Sequence, residues 1–127
     1  MKILLKLFVI VVFLQGSKCA KGVDKTNVSA ETLVVQKQKI VEYIKSFPCN
    51  PSVGCNSIAF GSKPCGGPWE YLVFSNAVNL SQLQTMVAEY NQAEATFNLE
   101  TGAASDCMVV SPPTNIGCEN GKCKILN

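Results

Sequence analysis

The sequence predicts an α+β domain, with two helices packed on one face of a mostly antiparallel sheet that ends in a C-terminal hairpin, stapled by disulfides. Three observations predict it. Apolar residues recur at helical spacing before Pro48 and again between Asn79 and Gly102. Short β-branched and aromatic runs, bounded by glycine and proline, lie between and after those stretches. Six of the seven cysteines fall within residues 49–123, so bridges would cross this alternation.

The first residues are set apart from that domain. Lys2 and Lys6 form a basic start, Leu7 to Leu14 is an uncharged apolar run, and small or polar residues follow. This is the layout of a secretory signal peptide, expected over residues 1–19. A membrane-spanning helix needs about 20 apolar residues, more than the run contains. Cleavage is expected after Gly16 or Cys19. A lipidated Cys19 is the competing reading, and the bulky Lys18 before it counts against that. Export implies an oxidising compartment, secreted or periplasmic, with Cys19 as the site of any lipid anchor.

Residues 20–28 are polar and without period, a leading arm, and residues 29–127 form the single domain. Ser29 is placed to cap a helix over Ala30–Phe47, with Glu31 favourably in its first turn. Leu33, Val34, Ile40, Val41, Ile44 and Phe47 lie on its apolar stripe, and Pro48 stops it. A Pro/Gly/Asn loop carries Cys49 and Cys55. Ser57–Gly61 is a short strand, and Trp69–Ser75 a stronger one. Its alternation sets Trp69, Tyr71 and Val73 on one face and Leu72 and Phe74 on the other. Apolar residues on both faces predict a central strand.

Asn79 caps the second helix, with Gln82 three residues on approximating a capping box. Leu83, Met86, Val87, Tyr90, Ala93 and Phe97 keep helical spacing as far as the stop at Gly102. A strand at Cys107–Val110, a rigid Ser111-Pro112-Pro113 bend and a hairpin complete the chain. Asn120-Gly121 marks a two-residue type I′ turn, which places Glu119 opposite Lys122 and Cys118 opposite Cys123.

Composition excludes more than it suggests. The full chain has 11 basic and 9 acidic residues, a net charge of +2. Lys2, Lys6 and Lys18 belong to the leader, so the remainder carries one more acid than base. Nucleic acid is therefore not an expected partner. No histidine and no arginine occur, which removes histidine-dependent triads and bidentate phosphate clamps. No cofactor-binding motif is present, so no cofactor is expected. A zinc site competes for Cys49/Cys55 and Cys118/Cys123, but the absence of histidine and of C-x2-C spacing favours disulfides. Glu70, Asp106 and Glu119 are the candidates for a two-carboxylate hydrolase site. Ordinary roles explain two of them: Glu119 would pair with Lys122, and Asp106 would be a turn acid. Asn27 and Asn79 head N-x-S sequons beside helix starts and matter only in a glycosylating host.

The segment Lys63-Pro64-Cys65-Gly66-Gly67-Pro68-Trp69 is expected to be a stapled turn. Pro64 and Pro68 restrict φ, Gly66 and Gly67 permit positive φ, and Cys65 pins the turn. Lys63, Trp69 and Tyr71 are its candidate binding residues, and Lys63 would be the specificity residue of any protease-facing loop. For Trp69 a core role carries more weight than a contact role.

The runs "FGSKPCGGPWEYLVFS", "VAEYNQAEATFN" and "SDCMVVSPP…CENGKCKIL" resemble a group of small exported bacterial proteins of the Bacteroidetes type. The resemblance runs from about Cys55 to the C-terminus, and "KPCGGPW" is its most specific part. It implies export and this fold, and it supplies no activity. It also implies that the Cys55/Cys65 and Cys107/Cys118 equivalents recur while Cys49 and Cys123 are additions. The expected bridges are accordingly Cys55–Cys65 around the first strand turn, Cys107–Cys118 around the proline bend, and Cys49–Cys123. Cys118–Cys123 is the rival, and the mature chain is expected to have no free thiol.

The functional expectation is a secreted or periplasmic, non-enzymatic protein-binding module, in its sharpest form an inhibitor of an extracellular hydrolase. A structural or envelope-associated protein is the alternative, and a small carboxylate hydrolase the third.

Overall fold

The computed structural model describes residues 28–126. The expected signal peptide, Cys19, Asn27 and nearly all of the expected leading arm lie outside the described residues.

Helix α1 spans Ala30–Lys45. Ser29 Oγ accepts from the Thr32 amide at 3.2 Å, and Thr32 Oγ1 accepts from the Ser29 amide at 3.0 Å. This reciprocal cap satisfies two of the amides that every helix start leaves open. The helix ends two residues before the expected Phe47, because Pro48 disfavours helical geometry in the residue that precedes it.

Strand β1 (Cys55–Phe60) pairs antiparallel with β2 (Glu70–Ser75), in register from Cys55↔Ser75 to Phe60↔Glu70. Helix α2 follows over Leu80–Thr101. Asn79 Oδ1 accepts from the Gln82 amide at 3.1 Å. The Gln82 side chain does not close the box. Its Oε1 accepts instead from the Tyr43 hydroxyl of α1, also at 3.1 Å. Gly102 then terminates α2 in the left-handed region, at φ 66°.

The C-terminal hairpin forms as the Asn-Gly pair dictates. Strands β3 (Ile116–Glu119) and β4 (Lys122–Ile125) flank Asn120 and Gly121, both with positive φ, as a type I′ turn requires. The α+β class thus holds, with the sheet divided into two antiparallel pairs, β1–β2 and β3–β4.

The core lies between the helices and one face of β1–β2. Leu33 and Ile40 of α1 meet Leu83, Val87 and Tyr90 of α2, with Phe60 and Phe74 beneath them. The Phe60 and Tyr90 rings stack at a centroid distance of 4.3 Å. Each such buried side chain contributes about 1.5–3 kcal/mol by leaving water. Burial, and then the neighbouring Glu94 charge, push the Tyr90 phenol up to about 12.

Four expectations fail, each for a local reason. Strand β2 is not central: β1 is its one hydrogen-bonded neighbour. Cys107–Val110 is not a strand, and Met108 and Val109 are exposed. Four residues of strand propensity beside two prolines do not make a strand without a partner to pair with. Glu119 bonds Lys124 at 3.1 Å rather than Lys122, taking the diagonal neighbour on the same face of the hairpin. The disulfides also differ from all three expected pairings and from the rival.

The observed bridges are Cys49–Cys118, Cys55–Cys123 and Cys65–Cys107, with Cα separations of 5.9, 5.8 and 5.3 Å. Cys118 and Cys123 do stand opposite each other. Being cross-strand neighbours, they present both sulfurs to one side. That side meets the segment leading into β1, so each finds its partner there. The Cys49 amide donates to the Gly121 carbonyl at 3.0 Å and anchors the same contact. Three bridges fit an oxidising environment, and no helix of the described residues is long and apolar enough to cross a membrane.

Candidate functional site

The two ends of β2 lead to different structures. At its N-terminal end lies the 61–69 loop. The Lys63 amide donates to Gly67 O at 2.9 Å, the Gly66 amide to Lys63 O at 2.8 Å, and the Trp69 amide to Phe60 O at 3.0 Å. The loop is a closed reversal pinned by Cys65–Cys107.

Three polar side chains of α2 hold it from beneath. Asn91 Oδ1 accepts from the Gly61 amide at 2.7 Å, and Glu94 Oε2 accepts from the Ser62 amide at 2.5 Å. Asn98 Nδ2 donates to Ser62 O at 2.7 Å. Their spacing of three and four residues aligns them on one helix face. They satisfy a main chain that would otherwise be half-buried without partners.

Lys63 is not a solvent-facing specificity residue. Its side chain is 4% exposed. The ammonium donates to Asp106 Oδ1 at 2.8 Å and to Met108 O at 3.0 Å, and lies 5.2 Å from the centroid of the Trp69 ring. It ties the loop to the irregular segment after α2. Trp69 is 41% exposed and packs against Gly61 and Lys63, so the expected core role is not what the fold gives it. Lys63 and Trp69 are therefore parts of a structural clamp.

The clamp is asymmetric, and this has a measurable consequence. Asp106→Ala should destabilise the fold, because it leaves a buried ammonium with one carbonyl partner. Lys63→Met should cost less, since it frees only a carboxylate already 56% exposed. The Lys63 ammonium also holds the Asp106 carboxyl below its ordinary value. A carboxyl lowered on folding stabilises at neutral pH and loses that contribution as pH falls through its lowered value. Denaturant midpoints of the two variants, and thermal melts carried into the acid range, check both points. Asp106→Asn should melt with a shallower acid limb than the parent.

The other end of β2 borders a groove of about 370 Å³. Val41, Ile44 and Phe47 of α1 and the following turn form one wall, and Gly121, Lys122 and Cys123 of the hairpin form another. Tyr71–Ser75 of β2 run along it. Five consecutive strand residues, whose side chains alternate between faces, line one groove only where it follows the strand's edge. Its two charged lining residues, Lys45 and Lys122, are both cationic.

Val41, Tyr71 and Val73 are half-buried, yet they are absent from the cluster that packs around the core. They turn to the groove instead. The volume lies within the roughly 300–1,000 Å³ usual for small-ligand sites, and apolar walls with a few polar groups are their usual chemistry.

Of the expected binding residues, then, the structure brings Tyr71 to the groove and leaves Lys63 and Trp69 in the clamp. The three candidate carboxylates are not assembled into one site. Glu70 bonds Lys37 at 2.6 Å, Asp106 bonds Lys63, and Glu119 bonds Lys124. The sulfurs of Cys49, Cys55 and Cys123 lie within 4.8 Å of one another. They belong to two adjacent disulfides, which offer no thiolate to a metal.

The groove residues Val41, Ile44, Phe47, Val73, Lys45 and Lys122 were not singled out as a site from sequence. One signal did point to them: β2 is apolar on both faces. Comparison with protein-family models, curated proteins and solved structures found no match.

Proposed function

We propose that the chain is a secreted or periplasmic, non-enzymatic binding module whose contact surface is the groove beside β2. The observation that carries this reading is the orientation of Val41, Tyr71 and Val73. Three half-buried apolar side chains that do not serve the core are explained by a ligand that covers them. Lys45 and Lys122 suit a ligand with negative charge, and the lack of histidine and arginine fits a binding rather than catalytic role. An inhibitory role toward an extracellular hydrolase would act through this surface and not through Lys63. The resemblance to small exported bacterial proteins is compatible with this reading.

A dye that joins an aromatic body to one sulfonate, 8-anilinonaphthalene-1-sulfonate, tests it. The folded protein should bind it saturably at one site with enhanced fluorescence. Val41→Glu combined with Val73→Glu should weaken binding at least tenfold while preserving the cooperative melt. Trp69→Ala should leave affinity unchanged. Equal binding by the parent and the double variant would refute the assignment.

A further inference from the structure

Strand β2 has a feature that an alkyl or aromatic ligand would not use. Its ladder to β1 occupies one edge only. In an antiparallel pair alternate residues direct both N–H and C=O away from the partner. Among the described residues, no hydrogen bond other than that ladder reaches the main chain of Tyr71–Phe74. The vacant edge is the floor of the groove.

We infer that the groove's occupant is an extended peptide segment that adds to β2 as a third strand, with apolar residues alternating with acidic ones. This rests on the groove being the binding surface. Hydrocarbon filling the groove would strip water from the outward-facing β2 amides and carbonyls without replacing it. A peptide main chain replaces those bonds while its side chains fill the walls, which is the logic of β-augmentation. The accessible edge of Tyr71–Ser75 is about 17 Å long, enough for five or six extended residues.

Side-chain preference follows from the walls. One face of the added strand meets Val41, Ile44 and Phe47, and calls for apolar side chains. Lys45 and Lys122, the two charged lining residues, call for carboxylates. The chemistry defines the partner as an acidic, β-prone segment of another protein. Basic and purely apolar segments are disfavoured.

The test uses the oxidised protein and a capped hexapeptide alternating valine with glutamate. It is compared with a copy N-methylated at alternate amides on its pairing edge, a lysine-for-glutamate copy, and laurate. Amide exchange by NMR reports β2. The expected result is saturable binding of the first peptide, slowed exchange at alternate amides within Tyr71–Phe74, and at least tenfold weakening on N-methylation. The lysine copy should bind at least tenfold more weakly, and Lys45→Glu with Lys122→Glu should reverse that preference.

Binding unaffected by N-methylation, or without protection of β2, would overturn strand addition and leave the groove assignment standing. Binding of laurate or the sulfonate dye but of no peptide would do the same. Failure of every probe would sink both. Protection of β2 that rises with protein concentration, together with dimerisation in sedimentation, would replace the acidic peptide by a second copy of this chain.

Discussion

Replacing Cys55 and Cys123 by alanine should lower stability by about 3 kcal/mol and loosen the C-terminal hairpin against the β1–β2 pair, with Cys49–Cys118 left as its tether. The bridge joins residues 68 apart in sequence. Cys49–Cys118 persists in the unfolded variant, so the closure that is lost runs from Cys55 back to Cys49, across that bridge and on from Cys118 to Cys123. It spans about a dozen residues and removes about 3 kcal/mol of chain entropy from the unfolded state. A second consequence is specific to this site. Gly121, Lys122 and Cys123 form one wall of the groove, and Cys55–Cys123 holds that wall beside the Ser75 end of β2. The variant should therefore lose dye binding by more than its unfolded fraction explains. Replacing Cys65 and Cys107 instead should also destabilise, through the loss of a closure spanning 42 residues, but should leave the groove intact. Denaturant unfolding and dye titration on both variants, under conditions where each is folded, check the contrast. Equal loss of dye binding in the two would show that the hairpin wall is not what the bridge secures.

Gly61→Ala should cost about 2–5 kcal/mol, a large effect for the addition of one methyl group. Gly61 is buried, with φ at +87°. Its Cβ would lie 2.7 Å from Trp69 Cδ1 and 3.1 Å from Glu94 Oε2. The left-handed backbone costs an L-residue about 1–2 kcal/mol, and overpacking adds about 1–3 kcal/mol. Relief would require Trp69 to swing off Lys63, or Glu94 to release the Ser62 amide. Gly66→Ala is the internal control, since φ there is +93° but nothing lies within 4 Å of the added carbon. It should show the backbone cost alone, about 1–2 kcal/mol. Thermal or denaturant unfolding of the two variants separates conformational from packing cost. If both lose the same amount, the packing of Trp69 and Glu94 around Gly61 is softer than its geometry implies.

Much of this fold was legible because its signals are local. Ser29 and Asn79 cap their helices through bonds that span three residues. Asn120-Gly121 specifies its own turn and with it the Glu119↔Lys122 and Cys118↔Cys123 register. Helical spacing of Leu33, Ile40, Leu83, Val87 and Tyr90 identified the residues that meet in the core. Each depends on geometry within one or two turns of chain, where side-chain chemistry acts directly on the backbone.

Tertiary structure alone decided the rest. Cysteine spacing favours short closures, whereas the observed partners lie 42 to 69 residues apart and were selected by how the hairpin seats on the segment entering β1. The Lys63 ammonium looks like a surface charge until Asp106, Met108 and Trp69 converge on it from distant positions. The apolar residues on both faces of β2 predicted a central strand, and the fold instead gives β2 one paired neighbour and a groove walled by α1 and the hairpin. Sequence could not distinguish those two outcomes. That difference depends on where α1 and the hairpin stop relative to one strand edge, a distance set by packing among elements far apart in the chain.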